Sequence, residues 1–137
     1  MKKKVKQPKK EKLEGIGGWL ILPTVGLFLS AGLWLFIFVM TGLLLLLSEE
    51  FRIYELTFLL MSPIMAFFAI YSLILEFKKK KQFIKWVIAT LWAGVISTII
   101  LSILDGDYLD VFLTIISVII WTQYFNVSIR VKNTFVK

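Results

Sequence analysis

Three carboxylates stand close together in Asp105-Gly106-Asp107-Tyr108-Leu109-Asp110. Clustered acids of this kind suit a hard cation such as calcium. The spacing is not that of an EF-hand, and no Glu closes a twelve-residue loop. The plainer expectation is an acidic turn, with Asp107 or Asp110 near a helix start, where the helix dipole favours negative charge. The run Lys78–Lys81 and the lysines of the N-terminal tail (Lys2, Lys3, Lys4, Lys6, Lys9, Lys10 and Lys12) suit a different ligand, the anionic headgroup of a phospholipid. The chain has no Cys and no His. Thiolate nucleophiles, Cys/His zinc sites and the commonest general base are therefore missing. A hydrolase would need a Ser–Lys or carboxylate pair, and no spacing among Glu14, Glu76 and Lys85 suggests one. No enzyme and no cofactor are expected.

The elements that must hold these residues are apolar. Of the 137 residues, 58% are hydrophobic and 18% charged. A soluble domain averages about 45–50% apolar and about 25% charged. Four long runs carry no charge, and the segments between them alternate in sign. Counting the tails and the second gap together gives 15 Lys/Arg and 3 acids, +12; the first and third gaps hold Arg52 and 6 acids, −5. Lysine and arginine collect on the cytoplasmic side of membrane proteins. The net charge of +7 is thus a topological signal before it is a binding signal, and no nucleic acid is expected.

The expected fold class is all-α: an integral membrane bundle of four antiparallel transmembrane helices, with N and C termini cytoplasmic. Residues 1–14 form a lysine-rich tail read as disordered. Residues 15–128 form the membrane domain, with spans at 19–47, 56–75, 86–104 and 111–127. Residues 129–137 form a basic cytoplasmic tail. About 20 residues cross the hydrocarbon layer, so each run suffices. None shows the alternation of barrel strands. The first run is 29 residues long. That exceeds a signal-peptide core, so a retained anchor is expected, with a bend at Pro23 and Gly26. Connections of 8, 10 and 6 residues make consecutive spans neighbours.

Small residues recur every four positions on the third span, at Ala89, Ala93 and Ser97, and one residue along at Thr90, Gly94 and Thr98. Gly26 with Ser30 and Ser62 with Ala66 are shorter versions. Such stripes let membrane helices approach closely, within one chain or between chains. None of the four runs holds a charged side chain. Proton-coupled transport usually needs an intramembrane carboxylate, so the runs argue against it. An oligomer with a polar cavity lined by Thr24, Ser30, Thr41 or Ser97 would argue for it.

Two segments carry a resemblance. Gly15-Ile16-Gly17-Gly18-Trp19-Leu20 opens the first span, and Tyr124-Phe125-Asn126-Val127-Ser128-Ile129-Arg130-Val131-Lys132-Asn133-Thr134-Phe135 closes the last. With four spans, they resemble the bacterial membrane family catalogued as domain of unknown function 2569. The resemblance implies a multi-pass protein of the bacterial inner membrane and brings no activity. The two segments are expected to pack together, with Arg130 near Glu14 or at helix C-terminal carbonyls. The candidate interaction site is Glu14, Gly15, Gly17, Gly18, Trp19, Tyr124, Ser128, Arg130 and Lys132. The leading expectation is a non-enzymatic accessory, assembly or interaction subunit with a membrane-protein partner. The alternatives are a small oligomeric transporter or channel, and a lipid-binding protein.

Overall fold

A computed structural model describes residues 15–48 and 52–136. The expectation of a disordered tail at 1–14 falls outside the described residues. After a 3-10 turn, Gly18–Leu20, four long helices follow: α1 (Ile21–Leu47), α2 (Ile53–Phe77), α3 (Phe83–Asp105) and α4 (Leu109–Val127). A short helix, α5 (Ile129–Thr134), ends the chain. All four long helices are long and apolar enough to cross a membrane. In lipid, helices satisfy their own backbone polar groups, which is why the apolar runs take this form.

The helices overrun the apolar cores read from sequence. α2 starts at Ile53 and ends at Phe77, so it takes in Glu55 and Glu76. Both acids therefore belong to the helix, immediately outside the charge-free run 56–75. α1 runs as unbroken α-helix through Pro23 and Gly26, where a bend was expected. The geometry changes at Leu20–Ile21, where the 3-10 turn becomes α-helix. Pro23 lies in the first turn of α1, where its missing N–H costs no helical bond.

Local chemistry sets the ends. At the α2 terminus Lys79 has φ +50°. Its N–H donates to the Glu76 carbonyl at 2.9 Å, and the Lys80 N–H donates to the Leu75 carbonyl at 2.9 Å. This is a Schellman closure with lysine where glycine is usual. α3 ends at Gly106 with φ +79°, whose N–H donates to the Ser102 carbonyl at 2.8 Å. Asp107 Oδ1 accepts from the Leu109 N–H at 3.0 Å, at the start of α4. Ser128 turns the chain, and its Oγ faces the Val131 N–H at 3.5 Å as the cap of α5.

Each helix packs on the next in sequence, α1 on α2, α2 on α3 and α3 on α4. The core is concentrated at one end. Leu20, Leu27, Leu73, Phe83, Val87, Phe125, Val131 and Phe135 belong to one buried cluster drawn from all five helices and the turn. Phe83 is its hub: its ring centroid lies 4.4 Å from that of Phe135 and 5.9 Å from that of Phe125. At the other end of α2 the Tyr54 hydroxyl donates to Asp105 at 3.1 Å, tying α2 to α3. Large apolar side chains there are mostly uncovered (Leu46 and Leu47 are each 83% exposed), as a lipid-facing surface requires.

Phe135 is 2% exposed and Val136 is 68% exposed, although they are neighbours. Phe135→Ala is expected to lower stability by about 3 kcal/mol. Val136→Ala should change it by less than about 0.5 kcal/mol. Thermal unfolding in mild detergent checks both.

Candidate functional site

The two glycine-containing and arginine-containing segments meet. Gly15 has φ +92° and Gly18 has φ +57°, a region that side chains resist. The resulting coil brings the Gly15 N–H to the Thr134 hydroxyl, which accepts at 2.9 Å. That hydroxyl in turn has the Arg130 carbonyl at 2.8 Å and the Gly15 carbonyl at 3.4 Å as acceptors. Beneath this junction, Leu20 and Val131 are fully buried.

Arg130 lies against the glycines. A Cβ placed on Gly17 would stand 3.1 Å from Arg130 Nη1, and one on Gly18 only 2.8 Å from it. The glycines are thus what lets the guanidinium rest against backbone. Ser128 caps the helix that carries Arg130. Tyr124 is half-buried and meets the Trp121 and Phe125 rings edge-on, each at 5.6 Å. Trp19 is 72% exposed and Lys132 is exposed, so neither is enclosed by the junction. Glu14 lies outside the described residues. Thr134 makes the bond between the segments, although it was not among the residues singled out from sequence. Its place in the motif, one turn after Arg130, was the available signal.

A second feature lies between the edge helices. α1 and α4 stand apart over α3, leaving a cavity of about 540 Å3. Pro23, Gly26, Ser30 and Trp34 line it from α1, Gly94, Ser97 and Thr98 from α3, and Thr114, Ser117 and Trp121 from α4. Of the predicted packing stripe, Ala89 is exposed, Ala93 half-buried and Ser97 buried. Ser97 donates to its own helix at the Ala93 carbonyl, 2.9 Å away. The bond from α3 to α2 is made one residue along, by Thr90, which stands 2.9 Å from the Ser72 hydroxyl.

A third feature was hidden in the sequence. Glu76 is 0% exposed and faces α1. Thr24 has one hydroxyl proton and two acceptors within reach, the Leu20 carbonyl at 2.8 Å and Glu76 Oε1 at 2.5 Å. Glu76 Oε2 has no partner among the described residues. Lys78–Lys81 follow on an exposed turn. The acidic turn is partly engaged: Asp105 accepts from Tyr54 and Asp107 from Leu109. Among the described residues no group of three acidic side chains is placed to hold a metal ion.

Four apolar helices, joined at one end and open along one side, define a multi-pass membrane protein. The chain belongs to the family described as "Protein of unknown function (DUF2569)", which it matches over residues 13–136. No curated protein and no solved structure matches it.

The contact between Gly18 and Arg130 makes a coupling measurable. Gly18→Ala is expected to destabilise by about 1–2 kcal/mol through its left-handed backbone. Arg130→Ala should remove the additional steric part, so the two losses should sum to more than the double variant shows. Unfolding of the four members of the cycle in detergent checks this.

Proposed function

We propose that this chain is a non-enzymatic integral membrane protein, an accessory or interaction subunit that receives a transmembrane helix of another protein. Its place would be the bacterial inner membrane, with four antiparallel spans and both termini cytoplasmic. The charge asymmetry between alternate segments supports that topology. Lys78–Lys81 and the N-terminal lysines would rest on anionic lipid.

The observation that carries the reading is the open side between α1 and α4. In their most apolar stretches, α1 and α4 each bury 11% of residues, against 39% in α2. The two edge helices are therefore short of neighbours. The gap between them is lined by Gly26 with Ser30 and by Gly94 with Thr98, each pair four residues apart on one helix face. Small residues at that spacing let a further helix backbone come close, which is what association inside lipid depends on. A Cβ added at Gly94 would meet nothing within 4 Å, so the space is free.

A photo-crosslinking residue at Ser30 or Ser117 tests this in native membranes. Both positions should join the transmembrane segment of the same second protein, mapped by peptide mass spectrometry. Leu29, which is 69% exposed and outside the groove, should not. Gly94→Leu should abolish the adduct and leave thermal stability unchanged or raised. Adducts to a second copy of this chain, or to lipid alone, would contradict the reading.

Transport is favoured by one observation, the buried Glu76 beside Thr24. Buried intramembrane carboxylates often serve proton coupling. Ser30 and Ser97 line the groove, but Thr24 and Thr41 do not. An interaction subunit predicts that proteoliposomes hold a pH gradient as well as empty vesicles do. A proton-coupled transporter predicts a gradient that dissipates and is preserved by Glu76→Gln.

A further inference from the structure

We propose that the Arg130 guanidinium, laid against the Gly17–Gly18 backbone, is a receptor for a phosphate group, supplied by a phospholipid headgroup or by free phosphate. This site is separate from the groove and does not depend on a protein partner. Arg130 is half-buried and carries five N–H donors. Among the described residues none of them has an acceptor within hydrogen-bond reach, and no carboxylate pairs with the group. Between residues 15 and 48, and between 111 and 136, the chain has no Asp or Glu at all. A positive group with open donors is thus held in place by the fold and not neutralised by those segments.

The way it is held matters. The glycines keep side chains off the guanidinium, since a Cβ at Gly18 would lie 2.8 Å from Nη1. Thr134 pins α5 to Gly15, accepting at 2.9 Å. A positioned guanidinium loses less freedom on binding, and its fork matches the paired oxygens of phosphate. The location selects the ligand further. The apolar spans Gly18–Leu47 and Leu109–Val127 reach their ends beside Gly17 and Arg130. Trp19, 72% exposed, marks the level where aromatic rings meet headgroups. Lys132 is exposed two residues further on and adds a second positive charge.

The test uses the full-length protein in mild detergent, offered phosphatidylglycerol against phosphatidylcholine, with retained lipids counted by native mass spectrometry. The wild type should retain one phosphatidylglycerol in preference. Arg130→Gln should weaken that preference about tenfold, the loss expected for a charge-assisted fork. Arg130→Lys, which keeps the charge and loses the fork, should fall between them. Replacing Lys78–Lys81 by glutamine should leave this single site in place. Competition by added inorganic phosphate would mark free phosphate as the ligand, and its failure would mark the headgroup. An unchanged preference in both arginine variants would overturn the proposal. So would a preference that appears only after Glu14→Gln, because the guanidinium would then be occupied from within the chain. Should Arg130→Gln fail to fold, the Arg130→Lys comparison alone decides.

Discussion

The structure depends on the closure between the two ends of the chain. A bond between Gly15 and the Thr134 hydroxyl, with Phe135 set against Phe83, joins the start of α1 to the segment after α4. Elsewhere each helix leans mainly on its neighbours in sequence. In lipid the apolar side chains gain little by turning inward, because the tails are as apolar as leucine. A row of helices is then as well solvated as a closed bundle. The junction decides where α1 and α4 are held together, and away from it they are free to stand apart.

That arrangement explains the uneven core. The buried aromatic and aliphatic cluster gathers at the joined end, where Leu20, Phe83, Phe125 and Phe135 meet. Towards the other end, the tie between Tyr54 and Asp105 is an exposed polar bond. α2 occupies the middle of the row and has the polar inner face: Ser62, Ser72 and Glu76 are all fully buried. Ser72 meets Thr90 of α3, and Glu76 meets Thr24 of α1. Such bonds give register to helices whose apolar surfaces would slide over one another, at a modest gain per bond in a membrane.

Much of the helical content was legible because lipid constrains composition strongly. A run of 17 residues or more without charge has few other uses, and three of the four runs fall inside long helices, while the first begins two residues before α1, in the 3-10 turn. The ends were less legible, because a helix can continue into charged sequence once its side chains find partners. Glu76 is the clear case. It sits one residue past the apolar run and two before Lys78, so composition reads it as part of the loop. Its phase tells otherwise: Ser62, Ala66, Ala69, Leu73 and Glu76 follow a 4-3-4-3 spacing and are all buried. The pairing of the terminal motifs was expected from the glycines of the opening segment and the arginine of the closing one. Thr134 as the connecting group was not, since a threonine near a chain end has many bland uses. The groove was out of reach of sequence reasoning, because small residues at helical spacing do not say which neighbour is missing.

The junction requires the two ends of the chain to share one edge of the bundle. The chain has no cysteine, so spin labels can be placed singly at Trp19 and Lys132, both exposed. Pulsed dipolar spectroscopy in bilayers should give a separation well below the ~30 Å thickness of the hydrocarbon layer. A separation equal to or greater than that thickness would place the ends on opposite faces, and the junction, the groove and the phosphate site would all fall with it.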